Sequence, residues 1–81
     1  MAKKNLTEVP LDARTIKIGK RLKELRLKKV YDSAEKFAYD HDLPRVSYDL
    51  QERGKRNMTL ASLYRILDIH KISLGDFFKG L

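Results

Sequence analysis

Residues 33–54 read Ser33-Ala34-Glu35-Lys36-Phe37-Ala38-Tyr39-Asp40-His41-Asp42-Leu43-Pro44-Arg45-Val46-Ser47-Tyr48-Asp49-Leu50-Gln51-Glu52-Arg53-Gly54. Two helical periods stand end to end in this stretch. Ala34, Phe37, Ala38 and His41 fall at i, i+3, i+4 and i+7, one face of an α-helix. Asp42-Leu43-Pro44 breaks the pattern, because the residue before a proline is pushed out of the α region. Pro44 then suits the first turn of a new helix, which spans about 44–53 and stops at Gly54, a residue suited to the left-handed end of a helix. At the turn, Asp42 tolerates positive φ better than most non-glycine residues. Asp32-Ser33-Ala34-Glu35 fits a capping box, with Asp32 as the cap and Glu35 reaching back. Two short helices joined by so tight a turn make a helix-turn-helix, and a generic αα-hairpin gives the same pattern.

Working outward, Leu11, Ile18, Leu22 and Leu25 keep helical spacing and predict a helix over about 13–29, capped by Asp12 or Thr15. Lys17, Lys20, Arg21, Lys23 and Lys28 lie largely off that stripe, and Glu24 and Lys28 are spaced as an i,i+4 ion pair. After Gly54, Lys55 to Met58 reads as a polar turn. Thr59 caps a helix with the stripe Leu60, Leu63, Tyr64 and Leu67. Ser73-Leu74-Gly75-Asp76 resembles a second capping box and opens a short helix carrying Phe77 and Phe78. No segment alternates with period two over strand length. The expected fold is all-α, a compact set of five short helices over residues 13–81. Residues 1–12 are expected to form a flexible arm, in which Lys3 and Lys4 either wrap a duplex or serve only as a solubilising tail.

The 81 residues allow one small domain, and a domain of this size has little room for a deep catalytic cavity. A hydrophobic content of 42% is enough for a core and excludes wholesale disorder. The absence of Cys excludes a disulfide scaffold and thiolate metal sites. His41 and His70 are the only histidines and have no third ligand at metal spacing, so no metal and no cofactor is expected. No nucleophile–base pair or phosphate cradle appears, and the expectation is a non-enzyme. No apolar run reaches the length of a membrane span, and no apolar stretch of a signal peptide follows Met1-Ala2-Lys3-Lys4, so a cytoplasmic location is expected.

Net charge is +7, which points to a polyanionic partner, nucleic acid before an anionic membrane surface. The charge is uneven. Residues 1–30 hold ten Lys/Arg and three acids, residues 31–53 three and six, and residues 54–81 five and two. A nucleic-acid surface would draw on the first helix and on the chain after residue 53. A basic membrane-binding helix fits less well, because helix 1 lacks aromatic anchors and its stripe is needed for a core.

Five segments in order carry a resemblance. They are Ile18-Gly19-Lys20-Arg21-Leu22-Lys23-Glu24-Leu25-Arg26, then Phe37-Ala38, then Glu52-Arg53-Gly54-Lys55-Arg56-Asn57, then Thr59-Leu60-Ala61-Ser62-Leu63, and Ile72-Ser73-Leu74-Gly75-Asp76-Phe77-Phe78. Over about three-quarters of its length the chain resembles the Cro/C1-type (phage-repressor-like) helix-turn-helix transcriptional regulators. The resemblance implies a lambda-repressor-like DNA-binding domain over 13–81, with the third helix in the DNA major groove and a two-fold dimer on a palindromic site. The sequence departs from the family in three places. Ser33-Ala34 stands where a Gln usually opens helix 2, Pro44 replaces a Ser or Thr cap, and Gln51 replaces an inward apolar residue. A small branch with Glu-Lys-Phe-Ala at the start of helix 2 is more similar.

Two registers of helix 3 compete. Periodicity alone buries Leu43, Val46 and Leu50. The resemblance buries Pro44, Tyr48 and Gln51 and exposes Val46, Asp49, Leu50 and Arg53, and the Glu52 and Gly54 anchors favour it. In that register Arg45 can fork onto guanine O6 and N7, Val46 and Leu50 can touch thymine methyls, and Asp49 can accept from cytosine N4. The exposed aliphatics can equally be a partner-binding surface. Phosphate contacts are expected from Ser33 and Ala34 at the start of helix 2, from Ser47 and Arg53, and from Lys55, Arg56 and Asn57. The resemblance also implies an Arg26–Glu52 bridge tying helix 3 to the scaffold. Leu74, Phe77, Phe78 and Leu81 are candidates for a homodimer interface, part of the set being needed to close the core. The expected function is a sequence-specific regulator, a dimeric repressor of double-stranded DNA with no ligand domain. Restriction–modification controllers and small antitoxin-type regulators share the pattern. A helix-turn-helix that has become a protein-interaction module is the alternative.

Overall fold

The computed structural model describes residues 12–81. Four of its five helices start on an oxygen side chain that accepts an otherwise unpaired backbone N–H. Asp12 caps α1 (Ala13–Lys28), Ser33 caps α2 (Ala34–Asp40), Thr59 caps α4 (Leu60–His70) and Ser73 caps α5 (Leu74–Phe78). α3 (Arg45–Glu52) starts instead at Pro44, with no side-chain cap bond. The cap of α2 is therefore Ser33 and not Asp32. Ser33 Oγ accepts from the Lys36 N–H at 3.1 Å, and Glu35 reaches Arg45 rather than back to the cap. Asp12 is the α1 cap, one of the two residues the sequence offered; residues 1–11 of the expected arm, with Lys3 and Lys4, lie outside the described residues.

The helices end alike. After α1, α2, α3 and α4 one residue takes positive φ: Val30 at 66°, Asp42 at 57°, Gly54 at 72° and Lys71 at 56°. The next N–H then closes back onto a carbonyl five residues earlier: Tyr31 to Arg26, Leu43 to Ala38, Lys55 to Leu50 and Ile72 to Leu67. This is the Schellman arrangement. It turns Leu43 and the half-buried Tyr31 and Ile72 back onto the core just past their helices.

The core holds Leu22, Phe37, Ala38, Leu43, Tyr48, Leu63, Ile66, Leu67 and Phe77. In α4 the buried stripe is Leu63, Ile66 and Leu67; Leu60 is 60% exposed and Tyr64 46% exposed, against the sequence expectation for both. The stripe is rotated because Ile66, not Tyr64, completes the i+3, i+4 set with Leu63. Glu24 pairs with Arg21 at 3.4 Å rather than with Lys28. Arg21 also donates to the Phe77 carbonyl at 2.6 Å and to the Lys79 carbonyl at 3.3 Å, tying α1 to the end of α5. All described regular structure is helical, as expected.

Two glycines let α1 approach the end of α3. A Cβ on Gly19 would sit 2.6 Å from the Gln51 carbonyl oxygen and closer still to that of Glu52. A Cβ on Gly54 would sit 2.8 Å from Ile16 Cα. Backbone thus meets backbone at both sites, which fixes α3 against α1 before any side chain is considered.

Candidate nucleic-acid interface

The inner face of α3 is anchored by Tyr48, which is fully buried against Phe37 with ring centroids 5.2 Å apart, and by Glu52. Arg26 of α1 holds Glu52 with two bonds: Nε donates to Oε2 at 2.7 Å and an Nη to Oε1 at 3.0 Å. Both side chains are 5% exposed, and the other Nη of Arg26 donates to the Tyr31 carbonyl at 2.7 Å. A pair so enclosed has little net worth as stability, but it fixes direction, and removing one partner strands a charge. Burial, and secondarily Glu52, pushes the Tyr48 phenol well above its usual range, so it stays neutral.

With Tyr48 and Glu52 turned in, the opposite face of α3 turns out. Val46 is 72% exposed, Leu50, Asp49 and Gln51 are half-buried, and Arg45 and Arg53 are exposed. This agrees with the register implied by the resemblance at Val46, Tyr48 and Arg53, but Pro44 is exposed, Gln51 is only half-buried, Asp49 and Leu50 are half-buried rather than exposed, and Leu43 is the buried residue at the turn. Tyr48 is closed off from any backbone phosphate.

Ser33, Ala34 and Glu35 of the α2 start share one shallow groove with Arg45, Val46, Asp49, Leu50 and Arg53. The expected base-contact set and part of the phosphate set are therefore neighbours. Arg45 donates to Glu35 at 3.2 Å and Arg53 pairs with Asp49 at 3.1 Å, all on the exposed side. Beyond Gly54, Arg56 donates to Ser47 Oγ at 2.7 Å, while Lys55 and Asn57 are exposed. Arg56, Asn57, Ser47 and the start of α4 line a second cavity beside the groove, together with Arg65. Arg65 donates to the Asp42 carbonyl at 2.8 Å, bracing the helix-turn-helix turn from α4. Sequence reading missed Arg65, and also missed Glu35 as the partner of Arg45. Periodicity within a helix carries no signal for a contact between two helices.

Of the expected interface residues near the C-terminus, Leu74, Phe78 and Leu81 are about two-fifths exposed, whereas Phe77 is fully buried and belongs to the core. Leu60 and Tyr64, i and i+4 on α4, are further exposed apolar residues. His41 and His70 both pack on Phe37, His70 stacked at 5.3 Å. Burial, then Lys29 and His41, lowers the His70 pKa to about 4, so it is neutral near pH 7. No group of three His, Asp or Glu among the described residues is placed to hold a metal ion, and no described helix is long and apolar enough to cross a membrane.

No protein-family model matches the chain. It is 39% identical over 66 residues to the control protein C.MunI of Mycoplasma sp, an overlap of 82% of this chain and 89% of that protein. The crystal structure of the restriction-modification controller protein C.AhdI from Aeromonas hydrophila is similar with a TM-score of 0.73 and 33% sequence identity, covering 83% of this chain and 100% of that one.

Proposed function

Because the chain belongs to the Cro/C1-type helix-turn-helix regulators, in the controller-protein branch, we propose that it is a homodimeric DNA-binding controller of a restriction–modification gene set. Each subunit lays α3 in the major groove of one half of an inverted-repeat site, and occupancy of that site represses the adjoining promoter.

One observation carries this reading. α3 is held from behind by the buried Arg26–Glu52 bridge and by Tyr48, while its opposite face presents the exposed Arg45 and Val46 with the half-buried Asp49 and Leu50 beside them. In this reading Arg45 reads guanine, Val46 and Leu50 read thymine methyls, and Asp49 accepts from cytosine. Phosphates are gripped by the start of α2 at Ser33 and Ala34, by Ser47 and Arg53, and by Lys55, Arg56 and Asn57. Leu74, Phe78 and Leu81 supply the two-fold contact.

Selection from random duplex DNA, followed by binding at several salt concentrations, tests the proposal. An inverted repeat should emerge. With about six phosphates neutralised, log K should fall by about five per decade of salt. Salt-insensitive or absent DNA binding would leave the acidic 31–53 segment with its exposed Val46 as a protein-interaction surface instead.

A further inference from the structure

The groove that faces the duplex in the proposed function is electrically balanced. Its two cations each have a carboxylate: Glu35 of α2 for Arg45 of α3, and Asp49 for Arg53 one turn along α3. Between them stand the aliphatics Val46 and Leu50. In the Glu35–Arg45 pair the side chains are 72% and 57% exposed, so the pair contributes little to folding stability and opens at little cost. Its position is what matters. Glu35 is the second residue of α2, at the rim where the sugar-phosphate chain would pass. A carboxylate there is repelled by the phosphates of any duplex, whatever its sequence.

We propose that Glu35 is a specificity-determining positioning residue, which holds Arg45 away from phosphates on unrelated DNA and releases it only to guanine. This rests on the DNA-reading role of α3 proposed above. Facing guanine, Arg45 exchanges its single bond to a carboxylate oxygen for two directed bonds to O6 and N7. Facing any other base it stays with Glu35, and the groove then offers the duplex no net positive charge. Sequence-independent attraction is then dominated by Lys55, Arg56 and their neighbours beside α3. Discrimination comes from the unfavourable carboxylate as much as from the favourable guanidinium.

The full chain is measured against its selected duplex and against a scrambled duplex of the same length and composition, with four proteins: wild type, Glu35→Gln, Arg45→Ala and the double variant. Glu35→Gln should tighten binding to the scrambled duplex by about two- to fivefold more than to the selected one, an exposed pair's worth. Its salt slope on scrambled DNA should steepen by about one, as the freed Arg45 finds a phosphate. In the Arg45→Ala background the same change should leave the ratio of the two affinities unaltered. A ratio unchanged by Glu35→Gln, or shifted equally with and without Arg45, overturns the proposal while leaving DNA reading by α3 intact. Failure of the wild type to prefer any duplex overturns both. A merely structural Glu35 would move the thermal midpoint of the free protein and not the ratio.

Discussion

Val30 is a β-branched residue at φ 66° and is 86% exposed. A side chain there costs about 1–2 kcal/mol against the following carbonyl, and no burial offsets it. Glycine fits the same turn, at an added chain-entropy cost of about 0.5–1 kcal/mol. Val30→Gly should therefore stabilise by about 0.5–1 kcal/mol and raise Tm by about 2–6 °C in a thermal melt. A second prediction concerns protons. The unfolded chain takes up a proton at His70 near pH 6.5, while the folded chain resists it until about 4 because the ring is buried on Phe37 with Lys29 and His41 nearby. The unfolded state thus binds more protons between these values. The stability that His70 contributes is complete above pH 6.5 and is lost as pH falls through 4, by about 2 kcal/mol after allowance for its partial exposure. Denaturant unfolding as a function of pH should show this loss, and His70→Gln should flatten it over that window.

At the scale of elements, the account rests on how α3 is held. Glu52→Ala leaves the Arg26 guanidinium buried without its carboxylate and should cost about 3–5 kcal/mol, read as a lower urea midpoint. Replacing both residues, Arg26→Met with Glu52→Leu, should recover much of that loss. Gly19→Ala should also destabilise, by about 1–3 kcal/mol, because its methyl meets two α3 carbonyls rather than a side chain that can move. Much of this architecture was legible in the sequence where chemistry is local. Asp42 and Gly54 were identified from the turns they permit, and Thr59 and Ser73 from the N–H groups they cap. Local rules failed where two neighbours offered the same chemistry. Asp32 and Ser33 both cap well, and the backbone chose Ser33. Tyr64 and Ile66 both continue the α4 period, and the choice depended on what lies across from them. The Glu35–Arg45 pair and the bracing of Asp42 by Arg65 join residues 10 and 23 apart in sequence, and no helical period reports such contacts.

At the scale of the molecule, the charge is arranged in patches. A positive first segment and a positive last segment flank a middle segment whose acids outnumber its bases, and the groove cations in that middle are paired. In the proposed complex the long-range attraction to phosphates is expected chiefly from the flanks, and base discrimination from the middle. Assembly adds the other requirement, since one α3 spans too few base pairs to single out a site. Sedimentation should find a dimer that dissociates on dilution. Phe78→Asp, at an exposed apolar position on α5, should leave the fold intact, yield monomer, and weaken binding to the full inverted repeat by roughly a hundredfold relative to a half-site.

Methylation interference on the selected duplex tests the central claim most directly, because a methyl on guanine N7 blocks the major-groove edge and leaves the phosphates untouched. We predict that one modified guanine in each half-site abolishes binding by the wild type, and that Arg45→Ala, with its weaker binding, no longer senses that guanine. If N7 methylation anywhere in the site leaves binding unchanged, α3 does not read the major groove and the account is wrong.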